Sequence, residues 1–154
     1  MKRQIRRKDR AISAEQAMQI LSQGEFGVLS TVDAENQPYG VPVNYALVNN
    51  CIEFHCATSG HKIDNIKHND KVSFCVVGKT RVLPSEFATE YESAIVFGTI
   101  SELAGSAKRD ALVFLISKYS PDHIEAGMEY IERLITKTGV YSISISEISG
   151  KARR

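Results

Sequence analysis

The sequence has no apolar run approaching the ~20 residues needed to cross a bilayer as a helix. It also has no excess of charge of either sign: 19 Lys and Arg stand against 18 Asp and Glu. The first absence gives no membrane span to assign. The second removes the general electrostatic argument for nucleic acid or an anionic membrane as partner. Cysteine is scarce, and its three residues (Cys51, Cys56, Cys75) sit in apolar, strand-like settings. An odd number so placed fits a reduced, cytoplasmic compartment better than a disulfide framework. No apolar run follows the basic N-terminal residues, so no secretory signal is expected. Short chemical motifs are missing too. Without G-x-S-x-G there is no nucleophile elbow. Without G-x-x-x-x-G-K-[ST] or G-x-G-x-x-G, a P-loop enzyme or a Rossmann dehydrogenase is not expected.

What is present describes one globular domain over residues 1–154, with 43% hydrophobic and 24% charged residues. Its ends are basic. Met1 to Arg10 carry six basic side chains and one acid, and the chain closes Lys151-Ala152-Arg153-Arg154. Such tails are read as solvated ends, with a phosphate-binding arginine as the alternative.

Ser13-Ala14-Glu15-Gln16 has the form of a capping box, followed by Ala17, Ile20 and Leu21 at helical spacing and by Gly24 as a stop. A helix is expected over 14–23. Strands are expected at 26–32, at 38–48 with Pro38 and Pro42 disturbing the ladder, and at 51–57 after an Asn49-Asn50 hairpin turn. A helix over 61–68 leads to a strand at 71–77 with Val72, Phe74 and Val76 on one face. Residues 78–89 read as a loop around Pro84. A strand over 91–103, bent at Gly98, precedes helices at 106–118 and 120–136, the second capped by Ser120 with Pro121 in its first position. The last strand, 139–148, alternates Tyr141, Ile143 and Ile145 with Ser142, Ser144 and Ser146. Six mostly antiparallel strands with short connections imply a mainly β architecture (α+β), a barrel with peripheral helices.

The chain is organised around Phe54-His55-Cys56-Ala57-Thr58-Ser59-Gly60-His61-Lys62-Ile63-Asp64-Asn65-Ile66. A strand here ends in a turn of small residues and opens a helix, a place where free N–H groups and the helix dipole favour an anion. His61 and Lys62 put positive charge where a helix alone disfavours it, and a bound anion would resolve that conflict. Gly40-Val41-Pro42-Val43-Asn44-Tyr45 is the second segment of interest. A strand proline leaves backbone groups outside the ladder, and Asn44 and Tyr45 offer hydrogen bonds and a flat face to a planar heteroaromatic ring. A bent edge strand is the plainer account. His55, Cys56, His61 and His68 are close in sequence but lack zinc-ligand spacing, and His55 and Cys56 point to opposite faces of a strand, so no metal site is expected. Cys56 near His61 reads as a structural cysteine.

Pro42-Val43-Asn44-Tyr45, Phe54-His55-Cys56-Ala57, Gly60-His61-Lys62-Ile63-Asp64-Asn65-Ile66 and Asn69-Asp70-Lys71-Val72-Ser73-Phe74, in this order and spacing, resemble the flavin-binding split-barrel superfamily of pyridoxamine 5′-phosphate oxidase. The nitroimidazole-resistance branch is the most similar. The resemblance implies a six-stranded split β-barrel, a homodimer with flavin at the subunit interface, and FMN as cofactor, with FAD possible. It implies cofactor contacts from Pro42, Val43, Asn44, Tyr45, His55, Cys56, Ala57, Gly60, His61, Lys62 and Ile66. It also implies electron transfer to a nitro group or another small-molecule acceptor, with His55 as the catalytic candidate. The family's phosphate-binding Ser-Arg-Lys falls on Gly60-His61-Lys62, where only the lysine is kept. Its arginine and lysine on the preceding strand are absent, leaving Arg6, Arg7 or Arg10 as conceivable substitutes. The oxidases' C-terminal Arg-x-His signature is also missing, which argues against pyridoxamine-phosphate oxidation. A flavin or haem carrier or sensor without turnover is the alternative.

Overall fold

The computed structural model describes residues 3–154. Ser13 caps the first helix, α1 (Ala14–Gln23), as its sequence dictates: its hydroxyl accepts from the Gln16 N–H at 3.1 Å, and its own N–H donates to Gln16 Oε1 at 3.0 Å. A two-residue strand, β1 (Ala11–Ile12), precedes it. The remaining strands are β2 (Gly27–Val32), β3 (Pro38–Val43), β4 (Ala46–Val48), β5 (Cys51–Cys56), β6 (Lys71–Leu83), β7 (Ala88–Glu102) and β8 (Gly139–Arg153). They form one antiparallel sheet in the order β3-β2-β6-β7-β8-β5-β4, with β1 added to β8. Helices α2 (His61–His68), α3 (Gly105–Tyr119) and α4 (Ile124–Leu134) complete the fold.

The six expected strands are all present, but the second is broken. Asn44 and Tyr45 carry the chain from β3, which pairs with β2, to β4, which pairs with β5. The two ends of the sheet are therefore consecutive pieces of one segment, and the sheet curls back on itself at this bend. The result is a split barrel. Alternate residues of each strand point inward: Leu29, Ile52, Phe54, Phe74, Val76, Val96 and Ile143 are fully buried, with Leu21 of α1 among them. A second, smaller core lies outside the barrel, where Leu112, Leu115 and Ile131 of α3 and α4 cover Ala46 and Val140.

Three expectations are corrected. Residues 78–89 are not a loop: β6 and β7 continue as a hairpin well past the barrel, and only Pro84–Glu86 turn, as a single 3-10 turn. The polar run there hid a strand pairing that needs no buried face. The helix expected over 120–136 is three pieces, a 3-10 turn at Pro121–His123, α4, and a 3-10 turn at Ile135–Lys137, and Ser120 gives no side-chain cap. The basic C-terminal residues are not a loose end, because Lys151 and Arg153 lie in β8, paired with Ser93 and Tyr91 of β7. The bend at Gly98 is present as a register shift against β8, and a Cβ there would meet the Ser144 carbonyl at 2.4 Å. Asn49 and Asn50 take positive φ, as their tight turn requires.

Candidate functional site

The split creates two strand edges without ladder partners. β3 is hydrogen-bonded only through β2. Phe54, His55 and Cys56 of β5 pair with β8 alone, because β4 reaches no further than Glu53. The segments 40–45 and 54–57 thus diverge from the Asn44–Tyr45 bend and face one another across a gap, and α2 closes the end of that gap. Ile63 and Ile66 anchor this helix in the barrel core, and buried Asn65 donates to Thr31 Oγ1 of β2 at 3.0 Å. The His61 ring stacks on Tyr39 of β3 with centroids 4.0 Å apart, so helix start and strand touch.

The first turn of α2 is built for an acceptor. Gly60 holds φ +136°, a region that side-chain-bearing residues rarely enter, and a Cβ there would have open space around it. No side chain caps the helix, and its first internal bond runs from Asp64 N–H to the Gly60 carbonyl. The N–H groups of His61, Lys62 and Ile63 therefore precede any internal partner. Thr58, Ser59 and His61 are exposed, and Lys62 is half-buried. Lys62 is close enough to draw the Cys56 thiol pKa down, although burial outweighs it and the thiol is raised overall. Cys56 thus stays protonated and packs on the barrel core.

The predicted residues separate into groups. Ala57, Gly60, His61 and Lys62 gather at the helix start. Pro42 and Asn44 are exposed along β3 and the bend, while Val43 packs on the core. Tyr45 offers no flat face: its ring is fully buried against Phe74. Its hydroxyl donates to the Leu21 carbonyl, its N–H to Tyr119 Oη, and its carbonyl accepts from Lys118 Nζ at 2.8 Å. Ile66 is core as well, for the same reason that α2 is amphipathic. His55 faces the other way, at the mouth of an apolar crevice of about 100 Å³ lined by Leu112, Ile116, Tyr130 and Ile135. This setting lowers its pKa, so the imidazole is neutral near pH 7. Arg7 and Arg10 are engaged away from the α2 turn. Arg7 is paired with Asp9, and Arg10 lines a cavity with Phe87 and Arg153 at the far end of the β6–β7 hairpin.

Sequence reasoning overlooked Tyr39, Lys118 and Tyr119. Tyr39 carries a signal only in hindsight, as the aromatic that follows the strand-opening Pro38. Lys118 sits 73 residues from Tyr45, and no local pattern links them. The outer face of β2, β6 and β7 is another feature that alternation alone does not reveal. α3 and α4 cover the outer face only at Ala46 and Val140, and Val28, Ile95 and Phe97 are 36%, 40% and 51% exposed in adjacent rows.

A split barrel with an uncapped helix start beside an open strand edge is the class of fold that carries this candidate site. Residues 13–152 match the family model of pyridoxamine 5′-phosphate oxidase, and the chain belongs to that family. No curated protein matches it in sequence. Among solved structures it is similar to a Bacteroides thetaiotaomicron protein provisionally named a 5-nitroimidazole antibiotic resistance protein (21% identity, TM-score 0.75, 92% of this chain and 85% of that one). It is also similar to an FAD-binding protein from Mesorhizobium loti (22%, 0.67, 94% and 98%). A third similar structure is an FAD- and haem-binding protein from Mycobacterium smegmatis (19%, 0.76, 92% and 72%).

Proposed function

We propose that this protein is a flavin-binding oxidoreductase, with FMN bound along the split and FAD as the variant to be tested against it. The observation that carries the reading is the meeting of the β3 edge with the uncapped start of α2. Backbone groups of Val43 and Asn44 border the ring. The N–H groups of the Gly60–Lys62 turn, with the Lys62 ammonium, hold the phosphate. His61, braced by Tyr39, fixes that end. When bound, the flavin supplies the redox chemistry. The chain's own task is to bind, orient and exclude water, which stacking at Tyr39 and anchoring at Asn65 both serve. Neutral His55 stays at the outer rim as a hydrogen-bonding group. The acceptor is a small molecule, with a nitro compound as the first candidate. Similarity to the Bacteroides protein supports this choice.

We further propose a homodimer built on the exposed apolar face of β2, β6 and β7, which would seal the split from solvent. A carrier or sensor without turnover is the second reading, favoured by similarity to the Mycobacterium FAD- and haem-binding protein. At about 100 Å³ the crevice beside His55 is too small for a macrocycle, so haem would have to lie outside it. The test is the absorbance spectrum of the purified protein and the mass of whatever denaturation releases. A flavin spectrum bleached rapidly by NAD(P)H supports an enzyme, and a Soret band supports a haem carrier. Colourless protein that fails to retain added FMN overturns the flavin reading.

A further inference from the structure

Outside the barrel, His55 stands at the mouth of the apolar crevice between α3 and α4. The strand register places it on the outer face of β5. His55 lies directly opposite Val140 of β8, and Val140 belongs to the small outer core under the two helices. Its neighbours Phe54 and Cys56 pack on the barrel core from the other face of the strand. Leu112, Leu115 and Ile131 are the buried part of the crevice lining. Ile116 and Ile135 are half-buried, while His55 and Tyr130 are exposed, so the polar atoms stand at the open side. Two contacts hold the helix pair together. At Gly127 the helices approach so closely that a Cβ would lie 2.4 Å from Ile116 Cγ2. Further along, Arg109 of α3 pairs with Glu132 of α4. Leu112, Leu115, Tyr130 and Ile131 fall between these contacts along the two helices, so the crevice is formed before any ligand arrives.

The polar groups at the crevice are few. Thr138 already donates its hydroxyl to the Leu134 carbonyl at 2.8 Å. The His55 ring makes no hydrogen bond to another residue among the described ones, and burial alone lowers its pKa. The neutral imidazole therefore keeps one donor and one acceptor for something else. No carboxylate, ammonium or guanidinium lines the crevice, so a charged ligand would lose hydration there without meeting a counter-charge. A cavity of roughly 150 Å³ walled by Leu, Ile and Phe holds benzene. The crevice, at about 100 Å³ and open on one side, is of that order. Its size, its aliphatic walls and its single hydrogen-bonding group at the mouth match one aromatic ring carrying one hydroxyl.

We propose that this crevice binds a small neutral phenol, with the ring against Leu112, Leu115 and Ile131 and the hydroxyl donating to the His55 imidazole. The site lies behind the strand that borders the split and does not depend on flavin being bound there. Amide NMR of the full chain, titrated with phenol and separately with benzene, tests it. Saturable shifts centred on β5, α3 and α4 are expected, with phenol bound about fivefold more tightly than benzene, the worth of one neutral hydrogen bond. His55→Leu is expected to remove that preference and to keep benzene binding. Ile135→Trp, in the 3-10 turn at the rim, fills the crevice and is expected to abolish saturable binding of both ligands while the amount of FMN retained is unchanged. It leaves β5 untouched, so it stands as a test even where the His55 variant folds poorly. Four results overturn the proposal: phenol shifts that do not saturate, phenol bound no more tightly than benzene, phenol displaced by FMN, or unchanged phenol affinity in Ile135→Trp. Colourless protein that still binds phenol leaves this site standing and removes only the flavin reading.

Discussion

Lys118 donates to the carbonyls of Gly24 and Tyr45 at 2.6 and 2.8 Å, and its ammonium lies 3.9 Å from the centre of the Tyr45 ring. Both carbonyls lie between elements, at the place where the barrel bends, so a single side chain ties α3 to the split. Lys118→Met keeps the stem and removes the donors. It is expected to cost about 1–3 kcal/mol, the usual penalty for part-buried acceptors left unpaired. The urea midpoint measures it, and an unchanged midpoint would show the bend to be self-supporting. Burial likewise depresses the pKa of His55 from its ordinary 6.5. The unfolded chain then takes up a proton at a higher pH than the folded one. Stability is full above about pH 6.5 and declines as pH falls from there toward the folded value. Denaturant midpoints at pH 7.5 and 5.5 are expected to differ less in His55→Gln than in the parent. Such long-range roles are invisible in the sequence. The strand periodicity placed Tyr45 near the right spot, yet only Tyr119 and Lys118, some seventy residues later, decide that its polar atoms are already engaged.

Among the elements, α2 was the most legible. Its bounds, its small-residue entry and its misplaced cations all follow from local chemistry, and these same features form the candidate site. The hairpin 78–89 was the least legible, because its strands extend past the barrel and alternate nothing against a core. Pro84 drew the eye to a loop, where it opens only the tip. The same locality makes α2 testable. Gly60→Ala forces a side chain into φ +136° and is expected to cost about 1–3 kcal/mol. It is also expected to loosen FMN by re-aiming the first-turn N–H groups. Lys62→Ala is expected to leave the thermal midpoint nearly unchanged while weakening FMN about tenfold, the low end for a charged hydrogen bond. Equal FMN affinity for Lys62→Ala and the parent, measured by fluorescence quenching, would place the ligand elsewhere. Gly24→Ala is the matching control. Its Cβ would lie 2.4 Å from Tyr45 Oη and 2.5 Å from Val76 Cγ1, so it should lower stability with no separate effect on the first turn of α2.

At the level of the whole molecule, the outer face of the barrel is covered unevenly. The inner side closes on the barrel core, while the outer side is covered by α3 and α4 only at Ala46 and Val140 and presents Val28, Ile95 and Phe97 to solvent on β2 and β7. An apolar strand face of this kind is a natural partner for its own copy. Ile95→Glu combined with Phe97→Glu is expected to convert a dimer into a monomer by light scattering and to lower flavin retention with it. A parent protein that is already monomeric would remove the proposed interface. That face is partly legible in advance, since alternation in 71–77 gives the inward set Val72, Phe74 and Val76. That the outward set stays uncovered depends on where the later helices α3 and α4 pack.

β8 is bonded to β7 on one side and to β5 on the other, and β1 joins it near its end. In chain order it follows every strand it pairs with, so it is synthesised after them. Until it emerges, β5 and β7 present bare hydrogen-bonding edges and the two halves of the sheet have no common strand. Synthesis and closure are therefore coupled: the nascent chain has to remain unaggregated, with open edges, until β8 arrives. Ribosome stalling just before Gly139 is expected to leave a protease-sensitive intermediate, and release of the full chain to abolish that sensitivity.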